Sequence, residues 1–187
     1  MKKAKIQKKE IIFDKFGKTL VKEELEMSDG NKLDWYYLDT PASVLIVPLT
    51  VKRELVLVKL YRYNLKKSVY EIPAGHFENL KGNLLDEAKR ELLEETGYAS
   101  KKYIDLGRYY VLPSETNRWI HVVLALDVER QEEPKLDNVI EKYFDMSIEH
   151  IDFDKVVKKI GKKDSIVEGV EHGFAILLVN RYLRESR

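Results

Sequence analysis

Four glutamates, Glu87, Glu91, Glu94 and Glu95, fall in the stretch Leu84–Thr96, and their spacing constrains this chain more than any other feature. At about 100° of rotation per residue, a helix gathers them within an arc of roughly 100°. Leu85, Ala88 and Leu92 then point to the adjoining side, where they can anchor the helix to a core. Like charges three and four residues apart repel, so an acidic row is a poor device for stability. It suits a hard divalent cation such as Mg²⁺ or Mn²⁺, which takes oxygen ligands. A bare row of this kind is more often a solvated helix surface, and its flanks decide between the two readings. Pro73-Ala74-Gly75 and a glycine-containing loop precede it, and Gly97 closes it with a residue suited to a left-handed helix end.

With those flanks, residues 75–98 resemble the Nudix box, G-x5-E-x7-R-E-U-x-E-E-x-G-U, where U is bulky and apolar. That box is the signature of hydrolases acting on a nucleoside diphosphate linked to another moiety. Arg90, Glu91, Leu92, Glu94, Glu95, Gly97 and Tyr98 match its second half without a gap. The first half departs from it. Gly75 to Arg90 is one residue longer than the pattern, so the place of the loop glutamate falls on Gly82, with Glu78 and Asn83 nearby. Val44–Tyr63, Glu71-Ile72-Pro73-Ala74-Gly75 and Pro113, sixteen residues after Gly97, are similar to the ADP-ribose pyrophosphatase and nucleoside diphosphate-sugar hydrolase branch. The likeness runs from about residue 10 to residue 183.

A pyrophosphate carries negative charge that repels a nucleophile, and a divalent ion both neutralises that charge and acidifies water. Glu91 and Glu95, one helical turn apart, can grip such an ion together. The resemblance implies Glu94 as a further ligand and the backbone carbonyl of Ala74 as another. Arg90 can steady Glu94 through a charge-assisted hydrogen bond; the alternative is a surface ion pair worth under about 1 kcal/mol. Arg62 is a candidate for a bidentate phosphate contact, weighed against a plain surface arginine among tyrosines. Gly75, Pro113 and Glu78 complete the substrate side that the resemblance implies. In that branch a glutamate before the last strand serves as general base. Asn138 stands at its place here, so Asp137 or Glu141 is expected to take the role. The branch also exchanges its N-terminal strands within a homodimer, which would offer Trp35, Tyr36 and Tyr37 to a nucleotide base; otherwise they are core or interface residues.

Composition narrows the rest. With 33 basic and 32 acidic residues the net charge is +1, so no overall field favours nucleic acid or a membrane. Lys2, Lys3, Lys5, Lys8 and Lys9 are followed by no apolar run resembling a signal peptide or a membrane span. The absence of cysteine excludes disulfides and thiolate chemistry and suits the cytoplasm. His76, His121, His150 and His172 show no metal-ligand spacing and read as structural or surface residues. At 187 residues one compact domain with a small extension is expected.

The pattern predicts strands over Lys5–Phe13, Leu20–Met27, Leu33–Leu38, Ala42–Pro48, Glu54–Tyr61, Ser68–Ile72, Tyr103–Val111, Trp119–Leu126 and Ile140–Met146, with an Asp29-Gly30 hairpin. It predicts helices over Leu84–Thr96, Ile148–Ile160 and Ile166–Leu183, the last burying Val170, Phe174, Leu177 and Leu178. The expected fold is α+β, an α/β/α sandwich on a mixed sheet with an N-terminal antiparallel meander. Residues 1–40 form the meander, expected to make the dimer, and 41–187 the Nudix domain. The expected reaction is metal-dependent cleavage of a nucleoside diphosphate sugar, foremost ADP-ribose to AMP and ribose 5-phosphate. Another sugar nucleotide such as GDP-mannose, or a nucleotide-binding module without catalysis, is the alternative.

Overall fold

The computed structural model describes residues 4–15, 18–77, 83–135, 143 and 146–186, which group into two units, one of residues 1–42 with 109–120 and one of 43–108 with 121–187.

In the first unit β1 (Lys5–Lys15), β2 (Lys18–Glu26) and β3 (Lys32–Asp39) form an antiparallel sheet in chain order. The expected hairpin joins β2 to β3. Gly30 takes φ +83°, and the Asp29 carboxylate accepts from the Asn31 N–H at 3.1 Å. Residues 109–120 join this unit through the Leu38 N–H, which donates to the Glu115 carbonyl at 2.9 Å, and through Asn117, which bonds Asp39 and Thr40. Val21 is buried, whereas β1 is exposed along its whole length.

The second unit holds β4 (Ser43–Leu49), β5 (Glu54–Arg62), β6 (Lys67–Glu71), β7 (Ala74–His76), β8 (Tyr98–Ala99), β11 (Glu129–Arg130) and β12 (Ser147–Asp152), with β9 (Lys102–Tyr110) and β10 (Trp119–Leu126) shared at its border. The mixed sheet runs β12-β5-β4-β10-β9, with β6 added to β5 and β7 to β4. Every residue of β4 is buried, as a strand covered on both faces requires. On one face Val44 and Ile46 pack with Ala88 and Leu92 of α1 (Leu84–Thr96). Leu45 and Val47 alternate to the other face, and β4 also meets α3 (Val170–Glu185). A shorter helix, α2 (Phe153–Lys159), packs against β12 and α3. This is the layered α+β arrangement expected. No helix among the described residues is long and apolar enough to cross a membrane.

Two expectations are corrected. The helix expected from Ile148 begins only at Phe153, because residues 147–152 pair antiparallel with β5, from Ser147 opposite Lys59 to Asp152 opposite Glu54. Asp152 ends the strand and caps the helix, its carboxylate accepting from the Lys155 N–H at 2.7 Å. On α3 the buried stripe is His172, Ala175, Ile176 and Val179, whereas Val170, Phe174 and Leu177 are exposed. At 100° per residue His172, Ala175, Ile176 and Val179 share one face, and Val170, Phe174 and Leu177 fall on the opposite one. The strand expected over Ile140–Met146 falls largely outside the described residues.

Candidate active site

The helix α1 is fixed at both ends by short-range chemistry. Asn83 caps its start, the side chain accepting from the Leu85 N–H at 3.0 Å. Gly97 closes it at φ +75°, its N–H donating to the Leu93 carbonyl at 2.8 Å. A Cβ at Gly97 would lie 2.1 Å from the Glu132 carbonyl oxygen, so both the backbone angle and the close approach demand glycine. The Gln131 N–H donates to the Gly97 carbonyl at 2.8 Å, and the Lys135 N–H to the Glu94 carbonyl at 2.8 Å. The segment 131–135 is thereby laced to the end of the acidic helix.

The acidic face of α1 lies against β7. The Glu95 carboxylate accepts from the Ala74 N–H at 3.0 Å. The Glu91 carboxyl group occupies the volume over Gly75, where a Cβ would fall 1.8 Å from its Cδ. Glu91 is buried, and burial pushes its pKa up further than the neighbouring Arg90 pulls it down. Arg90 is the hub of the row. Its Nη1 donates to Glu94 at 2.6 Å, and its Nη2 donates to Glu91 at 2.5 Å and also to Glu87. The hydrogen bond to Glu87 leads the influences that raise its already high pKa.

Beside this row Arg62 makes a bidentate pair with Glu71, Nε to Oε1 at 2.9 Å and Nη2 to Oε2 at 2.5 Å. The charge of Glu95 is among the influences that raise the Arg62 pKa, after the hydrogen bond to Glu71. Burial pushes the Glu71 carboxyl up, but the Arg62 hydrogen bond and the His172 and Arg62 charges together outweigh it, leaving the group below its ordinary value. His172 Nε2 stands 3.6 Å from Glu71 Oε2.

Of the residues expected at the site, Arg62, Ala74, Gly75, Arg90, Glu91, Glu94 and Glu95 thus fall in one connected neighbourhood of the second unit. Pro113 and Trp35 belong to the first unit, where both are exposed. Glu78, Gly82, Asp137, Asn138 and Glu141 lie outside the described residues. Glu71 and His172 carried no expected role. The only signal for Glu71 was an acidic residue ending a strand just before Pro73-Ala74-Gly75, and a lone histidine signalled nothing.

Among the described residues no three acidic or imidazole side chains are gathered as a ready-made metal cluster, and Arg90 engages Glu87, Glu91 and Glu94. The donor chemistry fits a hard divalent cation nonetheless. All of it is oxygen, and Glu91 is a buried carboxylate whose pKa burial raises, as suits a group whose charge a cation would stabilise.

A family model of the NUDIX domain matches residues 39–164. ADP-ribose pyrophosphatase of Bacillus subtilis (strain 168) is 33% identical over 128 residues, which is 68% of either chain. The methanol dehydrogenase activator of Bacillus methanolicus is 29% identical over 135 residues, 69% of this chain and 72% of that one. A crystal structure of an ADP compounds hydrolase matches with a TM-score of 0.81 over 98% of this chain and 96% of that one, at 20% identity, a likeness of fold.

Proposed function

The chain belongs to the Nudix family and is a Nudix hydrolase, and from that premise we propose that it cleaves the pyrophosphate bond of a nucleoside diphosphate sugar, ADP-ribose foremost, to AMP and ribose 5-phosphate. The observation that carries this reading is the docking of Glu91 and Glu95 on the Gly75 and Ala74 backbone, which sets two carboxylates side by side against a strand end. The substrate class rests on the likeness to the Bacillus subtilis ADP-ribose pyrophosphatase.

In this proposal Glu91, Glu95, Glu94 and the Ala74 carbonyl would hold Mg²⁺ or Mn²⁺. The bound cation supplies neutralisation of the pyrophosphate charge and a more acidic water. Arg90, bonded to Glu87, Glu91 and Glu94, orients the carboxylates. Arg62, with two N–H groups on Glu71, keeps the rest of its fork for a phosphate oxygen. Gly75 leaves room for the Glu91 carboxyl, and Asp137 or Glu141 takes the proton from the attacking water. Pro113, Glu78 and the exposed ring of Trp35 are the candidates for contacts to the sugar and base.

The assembly proposed is a homodimer made through the meander. Ile6, Ile11, Ile12, Phe13, Leu33, Trp35, Tyr36 and Leu38 are all exposed on β1–β3. A small antiparallel sheet with so many uncovered apolar side chains is marginal in water by itself.

The test is a screen of ADP-ribose, GDP-mannose and other sugar nucleotides with Mg²⁺ or Mn²⁺, reading phosphate released by a coupled phosphatase. Turnover of ADP-ribose above the others is expected. Preference for another sugar nucleotide replaces the substrate, and binding without turnover of any of them overturns the proposed reaction in favour of a binding module.

A further inference from the structure

The pair of Arg62 and Glu71 is backed by a residue 101 positions further along the chain than Glu71. His172 lies in the first turn of α3, buried, with Nε2 at 3.6 Å from the same Glu71 oxygen that accepts from Arg62 Nη2. That separation is longer than a hydrogen bond and within the reach of a charge contact when the imidazole is protonated. The Glu171 carboxylate also approaches the same nitrogen, 3.9 Å from Nε2. The ring is held from below as well. Gly169, the N-cap of α3, is so close that a Cβ there would meet His172 Cδ2 at 2.8 Å. A second tie brings the same segment to β6, where Lys67 pairs with Glu168 at 2.5 Å.

These contacts form one line from the start of α3 to the acidic helix. Gly169 seats His172, His172 faces Glu71, Glu71 grips Arg62, and Arg62 lies in the field of Glu95. A bidentate pair fixes the plane of a guanidinium, and with it the direction of the N–H groups outside the pair. An acid held by only one partner can rotate about its last side-chain bonds, because a carboxyl torsion is broad. A second partner removes that freedom.

We propose that His172 is a positioning residue for substrate binding: seated on Gly169, it holds the Glu71 carboxylate in the orientation that aims Arg62 at a phosphate of the substrate. The inference rests on the pyrophosphatase reading for its substrate, but not for its geometry. It predicts a defect in binding rather than in the chemical step.

The experiment compares the full chain with His172→Ala, His172→Gln and Arg62→Ala, with melting curves to confirm folding. Steady-state kinetics on ADP-ribose should show KM raised about tenfold in His172→Ala, the order of one charge-assisted hydrogen bond, with kcat little changed. His172→Gln, which keeps an N–H near the position of Nε2, should recover most of the loss, and His172→Ala should add nothing in the Arg62→Ala background. In parallel, the ¹⁵N–¹H signal of Arg62 Nε–H, assigned by its absence in Arg62→Ala, should be retained in the parent and in His172→Gln and broadened or lost in His172→Ala. Unchanged KM with an unchanged Nε–H signal, or additive effects of the two alanine substitutions, overturns the proposal. If the parent hydrolyses no sugar nucleotide, the substrate reading fails, and the Nε–H signal alone still judges His172. If His172→Ala does not fold, the KM and the signal of His172→Gln against His172→Leu make the same decision.

Discussion

The carboxyl group of Glu91 lies in the space that a side chain on Gly75 would fill, its Cδ 1.8 Å from the position of that missing Cβ. Glycine and glutamate are therefore one device, the first supplying room and the second the charge placed in it.

Gly75→Ala and Gly97→Ala should separate activity from stability. The atom obstructing a Cβ at Gly75 is the end of a side chain that can swing out, so the fold is little disturbed while Glu91 leaves its place. Turnover should fall sharply with a melting temperature near the parent's. At Gly97 the obstruction is the Glu132 backbone and φ is +75°, so alanine should cost about 1–3 kcal/mol in denaturant unfolding. A Gly75→Ala variant as active as the parent counts against the docked-carboxylate site.

Glu91→Gln and Glu95→Gln should each lower turnover by orders of magnitude without loss of fold. Glu95 keeps an acceptor for the Ala74 N–H in its amide form, so its stability should stay within about 0.5 kcal/mol of the parent's. Glu91→Gln should melt no lower than the parent at neutral pH, because burial already disfavours its charge. Chelation of divalent cations should abolish parent turnover, and added Mg²⁺ or Mn²⁺ should restore it. Full activity in Glu95→Gln removes it from the proposed ligands.

Glu71 gives a pH dependence whose sign is fixed. Its folded pKa lies below the ordinary 4.5, because Arg62 and His172 outweigh burial. Its contribution is therefore complete above 4.5 and is lost as pH falls through the lower folded value. Urea unfolding of the parent and of Glu71→Gln, from about pH 7 to about pH 3, should show a stability gap that is constant at first and closes at the acid end. A gap that widens on acidification contradicts the assignment.

How much of this was legible in the sequence differs from element to element. Helix α1 and its acidic row were readable because Gly97 and the spacing of Leu85, Ala88 and Leu92 act within a few residues, whereas the cap at Asn83 emerged only from the structure. The hairpin at Asp29-Gly30 was readable for the same reason. Strand β12 was misread because Ile148 and Ile151, three apart and followed by Phe153 and Val156, imitate a helical period. The cue that corrects it is Asp152, a helix cap in the middle of the run. The buried face of α3 was misplaced because apolar residues at helical spacing pointed to Val170, Phe174, Leu177 and Leu178, while the helix buries His172, Ala175, Ile176 and Val179, an equally regular row that includes a histidine and an alanine. The approach of His172 to Glu71 joins positions far apart in the chain, and no local period encodes it.

The meander should report itself in mass. Light scattering at micromolar concentration should give twice the mass of one chain, and Ile11→Glu with Phe13→Glu, both on the exposed β1, should shift it towards one. A single-chain mass for the parent removes the dimer.

The general base can be located by substitution. If Glu141 serves, Glu141→Gln should lower turnover by roughly 10²–10⁴ with KM little changed, and Asp137→Asn should do so if Asp137 serves. If both are silent and Asn138→Glu raises turnover, the loop has lost its base.

The bonds from the Gln131 N–H to the Gly97 carbonyl and from the Lys135 N–H to the Glu94 carbonyl fasten segment 131–135 at two points to the last turn of the helix that bears the carboxylates. Two fastenings transmit a shift where one would only pivot, so a substitution that moves the end of that helix should be felt in the backbone of 131–135 as well.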